Sequence, residues 1–140
     1  MTRTLLALAV GIGVGAGGMT AAHHADGEKV KVLSARDIQE KLDGKEAMAT
    51  VVEVTIEPGQ SGLPHRHPGP GFGYVAEGEY ELGIDDQPTR VLKAGETFYE
   101  PTGCVHRVSK NPGRVKTRLV AVVLHPRDAK RVAVPEPKKG

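Results

Sequence analysis

Residues 59–78 read GQSGLPHRHPGPGFGYVAEG, and residues 95–106 read GETFYEPTGCVH. The first stretch follows an alternating run: Val52, Val54 and Ile56 fall on one face, Glu53, Thr55 and Glu57 on the other. That is the pattern of a half-buried strand from Met48 to Glu57, ended by Pro58-Gly59. His65 and His67 then stand two residues apart. In an extended segment both imidazoles leave the same face, because strand side chains alternate. His106, just past a Pro-x-Gly turn, is placed to bring a third from a neighbouring strand. Three converging imidazoles suit one divalent transition metal ion, drawn from Fe, Mn, Cu, Ni or Zn.

The rest of the chain reads as further short strands. Tyr80, Leu82 and Ile84 alternate against Glu79, Glu81 and Gly83, residues 85–88 turn, and residues 89–93 return as a hairpin partner. Residues 97–100, 106–110 and 116–124 supply three more, the last rich in Val and Leu. Eighteen Gly and ten Pro provide the turns an all-β chain needs, and with no Trp the core falls mainly to Val, Leu and Ile. Ahead of these strands, residues 29–33 form a short edge strand. Ser34 followed by Asp37, with Leu33 and Ile38 as flanking apolar residues, predicts a short N-terminal helix over Ser34–Asp43 that stops at Gly44.

The two quoted stretches resemble the two sequence motifs of the cupin superfamily. Gly59, five residues, His65-Arg66-His67 and then Gly78 match the first; Gly95, Pro101, Gly103 and His106 match the second, with Asn111 one place later than usual. The resemblance runs from about Met48 to Leu124 and is nearest to small exported cupins. It implies a jelly-roll β-barrel with a metal inside one mouth, held by His65, His67 and His106. One position departs from the family: where it carries a Glu ligand after the His pair, this chain has Gly71. Glu77 lies roughly 20 Å along an extended strand from that place, and Glu100 ends an adjacent strand, where it fits a supporting role. The expected centre is therefore a neutral three-His site, similar to those of thiol dioxygenases and diketone-cleaving cupins. Such a site disfavours hard ions.

The resemblance puts Gly71, Gly73 and Val75 on the inward face beside the His pair, where two glycines leave either a substrate pocket or a backbone bulge. Tyr99 and Cys104 belong to the same tentative pocket. Tyr99 suits its rim; Cys104 is either a soft ligand or, more plainly, a small buried hydrophobe. The activities compatible with this centre are a dioxygenase-type oxidoreductase on a small organic molecule, a non-catalytic binding or sensing module, and a metal-assisted isomerase or lyase.

Residues 1–22 have the three-part form of a secretory signal peptide, with Arg3, the apolar run from Leu5 to Val14 and small residues up to Ala22. Export to the periplasm or beyond is expected, with residues 23–46 as linker, edge strand and helix, 47–125 as barrel and 126–140 as a surface tail. The apolar run is short for a stable membrane anchor. A formal charge of +2 with intermixed signs argues against nucleic acid. The expected partner is a small-molecule ligand, with a homodimer left open. Cys104 is the only cysteine, so no disulfide within the chain is available.

Overall fold

The computed structural model describes residues 27–137. Residues 1–22, read above as a signal peptide, lie outside the described residues. Within them the protein is all-β: β1 (Glu28–Leu42), β2 (Lys45–Ile56), β3 (His65–Arg66), β4 (Gly71–Glu77), β5 (Glu79–Ile84), β6 (Arg90–Lys93), β7 (Thr97–Glu100), β8 (Val105–Lys110), β9 (Thr117–Pro126) and β10 (Val134–Pro135). They form two antiparallel sheets, ordered β1-β2-β9-β4-β7 and β10-β3-β8-β5-β6. Ile56, Val75, Phe98 and Leu119 from the first pack with Tyr80, Leu82 and Leu92 from the second, so the sheets face one another across a common core. This is the expected jelly-roll barrel.

The helix expected over Ser34–Asp43 is not there. These residues continue β1, which pairs with β2 from Glu28↔Ile56 to Leu42↔Lys45. The reason is Asp43-Gly44. Both residues adopt positive φ, 49° and 75°, which is the geometry of a two-residue hairpin turn. The turn folds β1 back on β2, and ladder bonds along the whole strand outweigh one helix cap. Two register shifts, at Val32/Ser34 and Ile38/Lys41, absorb the residues that break the alternation.

The C-terminal segment runs along the surface and includes a short strand. β10 pairs with β3, Val134 against Arg66 and Pro135 against His65. Arg66 Nε meets Glu136 Oε1 at 2.5 Å, and the Glu136 amide donates to the Pro64 carbonyl at 2.9 Å. Residues 127–136 are thus a strap lying beside the two histidines. Asn111, fully buried, steadies the other end of β8: its amide donates to the carbonyls of Ile56 and Val115 at 2.9 and 2.8 Å.

Candidate metal centre

β3 and β8 pair antiparallel with His65 directly opposite His106, which places both side chains on one face. His67 follows one turn of the pleat later. The three residues form a cluster whose ligand atoms all lie within 4.8 Å of one another. His65 and His106 are buried and His67 nearly so. The second motif therefore delivers its histidine where the first requires it, while Arg66 and Arg107 between them point outward to solvent.

Hydrogen bonds fix the rings. His65 Nδ1–H donates to the Leu63 carbonyl at 2.9 Å, and His67 Nδ1–H donates to the Val132 carbonyl of the strap at 2.7 Å. A carbonyl only accepts, so in each neutral ring the lone pair is on Nε2. These two nitrogens lie 3.2 Å apart. Two lone pairs aimed at one point repel unless a cation lies between them, and backbone carbonyls behind ligating imidazoles are the usual support of a metal site. His106 is fixed from the other side. Ser109 donates to the Glu28 carboxylate, Tyr80 donates to Ser109 Oγ at 3.0 Å, and His106 Nε2 lies 2.9 Å from Tyr80 Oη. With the tyrosine proton spent on Ser109, His106 Nε2–H donates to Tyr80, which leaves its Nδ1 as acceptor. The residues present therefore fit a transition metal ion: three imidazole lone pairs, each set by a hydrogen bond at the opposite nitrogen. His125 is separate. Its Nε2 meets Thr50 Oγ1 at 2.8 Å and its Nδ1 meets the Pro126 carbonyl at 2.9 Å.

Burial pushes the His65 pKa down to about 3, and the neighbouring imidazoles of His106 and His67 push the same way. Between about 6.5 and about 3 the unfolded chain binds a proton here that the folded protein refuses. Stability contributed by neutral His65 is thus present above that window and lost as pH falls through it, at about 1.4 kcal/mol per pH unit. Glu28, whose carboxyl is raised by burial, works in the opposite sense, so the comparison must isolate His65. In metal-free protein, the stability of wild type relative to His65→Gln should decline between pH 6.5 and pH 4.5 in urea denaturation. A difference that stays flat or grows would contradict the assignment.

The three histidines sit in a cavity of about 560 Å³ between the sheets. Val30, Val52, Ala121 and Val123 supply apolar wall, Glu28, Glu100 and Ser109 supply polar groups, and Lys130 and Arg131 of the strap stand at its edge. The tentative pocket residues are placed as follows. Gly71, Gly73 and Val75 do share the inward face of β4. Their glycines do not open a pocket, however. A Cβ on Gly73 would fall 1.9 Å from the Phe98 ring, and one on Gly71 would fall 3.0 Å from Glu100 Oε2. Val75 lies in the core cluster. Tyr99 faces outward, half exposed, with its ring 5.2 Å from that of Phe72. Cys104 is buried outside the cavity lining, and burial raises its thiol to about 11, which keeps it protonated. It has the character of a small buried hydrophobe.

Glu28, Tyr80 and Ser109 were not legible as site residues. Alternation from His106 points to Val108 as the next inward residue of β8, yet Ser109 is the buried one. The register shift between Gly83 and Ile84 on the partner strand moves the face by one residue. The strap residues carried no signal beyond two adjacent cations.

A two-sheet antiparallel barrel with a buried histidine cluster in its cavity defines a metal-binding β-barrel. The cupin domain model matches residues 52–123, more than half of the 140 residues, and the chain belongs to that family. No curated protein matches it. Among solved structures, oxalate oxidase bound to the substrate analogue glycolate is 29% identical, with a TM-score of 0.55, over 70% of this chain and 51% of that one. The chain thus spans about half the length of the oxalate oxidase. An uncharacterised conserved protein with a double-stranded β-helix domain from Klebsiella pneumoniae is 23% identical over 79% of this chain and 86% of its own, TM-score 0.59. The DMSP lyase DddQ from Ruegeria pomeroyi is 20% identical over 89% and 59%, TM-score 0.62. These last two share the fold.

Proposed function

We propose that the protein is an exported, mononuclear metal oxidoreductase of dioxygenase type that acts on a small organic anion. The observation that carries this reading is the pair of His65 and His67 Nε2 lone pairs, 3.2 Å apart and facing a cavity large enough for a small molecule. A divalent redox metal held there by His65, His67 and His106 would supply Lewis acidity and one-electron chemistry, with positions left open on the cavity side. The protein's own contribution is to aim three ring lone pairs at one point, to surround the substrate with apolar wall and to limit water. The likeness to oxalate oxidase with glycolate bound supports a small carboxylate as substrate. Lys130 and Arg131 support it independently: both border the cavity, and neither is ion-paired among the described residues.

Oxygen uptake by metal-loaded protein, screened against small mono- and dicarboxylates, tests the proposal. Uptake with Fe, Mn or Cu and with at least one carboxylate is expected. Zinc in protein from its native host, with no oxygen uptake, would favour a binding module or a metal-assisted isomerase or lyase instead. For the active carboxylate, Lys130→Ala with Arg131→Ala should raise KM about tenfold, the factor that ~1.4 kcal/mol carries, with metal content unchanged. An unaltered KM would remove the strap from substrate recognition.

A further inference from the structure

The inward cross-strand pairs of β4 and β7 share one feature. Gly71 stands opposite Glu100 and Gly73 opposite Phe98. In each pair one member is reduced to hydrogen, and the side chain across from it fills the volume of both. For Gly73 the filler is an apolar ring that belongs to the core. For Gly71 it is a carboxylate, 3% exposed, at the histidine cluster.

Glu100 lies between two of the three histidines. Its Oε2 is 3.6 Å from His67 Nε2 and its Oε1 is 2.6 Å from His106 Nδ1. The two atoms lie within ion-pair distance, but their contact misses hydrogen-bond geometry, and both are buried. The orientation of His106 explains this. Its proton is on Nε2, used by Tyr80, so Nδ1 presents a lone pair to a carboxylate oxygen. A buried carboxylate oxygen against an imidazole lone pair is relieved by a proton shared between them or by a metal cation bound to both. The metal cation, unlike that proton, also satisfies the converging lone pairs of His65 and His67.

We propose that Glu100 is the fourth ligand of the metal, a carboxylate delivered from β7 into the space left by Gly71 on β4. This rests on the metal reading of the three histidines and deepens it. The centre is then three imidazoles and one carboxylate, carrying one negative charge rather than none, which favours a divalent ion over a weakly held one. Gly71 follows as the necessary counterpart, because a side chain there would meet Glu100 Oε2 at 3.0 Å from its first carbon.

The test uses mature protein stripped of metal, titrated with Co(II) against a chelating competitor, with the visible absorption of bound Co(II) as a second readout. Glu100→Gln keeps the shape and removes the charge. It should weaken Co(II) binding by more than the roughly 10–100-fold that losing a supporting group costs, and alter the Co(II) spectrum. Gly71→Glu alone should not tighten binding, since two carboxylates would crowd one volume. Gly71→Glu combined with Glu100→Ala should recover most of the affinity that Glu100→Ala loses. A carboxylate that only steadied His106 through Oε1 would not be replaced from β4, where the new side chain enters on the Oε2 side. Glu100→Gln binding Co(II) within about twofold of wild type, with an unchanged spectrum, would overturn the proposal; so would a double variant no better than Glu100→Ala. His106→Ala separates the two claims. If it loses Co(II) while Glu100→Gln does not, only Glu100 is misassigned; if neither loses it, the metal reading fails with it.

Discussion

Alanine at His65, His67 or His106 should each cost the protein most of its metal, while His125→Ala should leave the site filled. Removing any one imidazole leaves an incomplete set and strands the partner that oriented it: the Leu63 carbonyl, the Val132 carbonyl or Tyr80. The loss should exceed the roughly 10–100-fold that follows from removing a supporting hydrogen bond alone. His125 is buried as deeply, so general damage to the barrel is controlled for, but both of its ring nitrogens are engaged elsewhere. Elemental analysis of the four purified variants decides the matter. Equal metal content in wild type and His106→Ala would remove that residue from the site.

Phe98→Ala should destabilise the fold by about 3–5 kcal/mol, the usual cost of deleting a buried aromatic ring. The ring fills the hollow over Gly73 and lies 5.4 Å from the Tyr80 ring, within the core cluster. Gly73, directly opposite, has no side chain to move into the void. Against the ~5–15 kcal/mol that holds a typical domain together, this is a large fraction. The effect should reach the metal centre as well, since Tyr80 carries the hydrogen bond to His106. Urea unfolding of wild type and variant measures it, and a cost below about 1 kcal/mol would show that the ring is not core.

The parts of this fold that were legible are those with local pattern. β2, β5 and β9 alternate or run apolar, and the second motif carries His106 to a neighbouring strand at fixed spacing. Where two local signals compete, the turn decides over the cap. Ser34 with Asp37 has the form of a helix start, but Asp43-Gly44 is a hairpin turn, and β1 follows the turn. For Glu100 the sequence offers a strand end and a supporting role; that it faces Gly71 depends on the β4–β7 register, which forms across the intervening β5 and β6. The glycines at 71 and 73 read as either a pocket or a bulge because the side chains that fill the space come from elsewhere in the chain. The strap was unreadable for the same reason: its bond to His67 is made by a backbone carbonyl, which no sequence pattern marks.

The most direct test of the central claim is calorimetric titration of the metal-stripped protein with a divalent transition metal. One saturable site per chain, abolished in the His65→Ala, His67→Ala, His106→Ala triple variant, is the predicted result. No saturable binding to wild type, or the same site persisting in the triple variant, would contradict it.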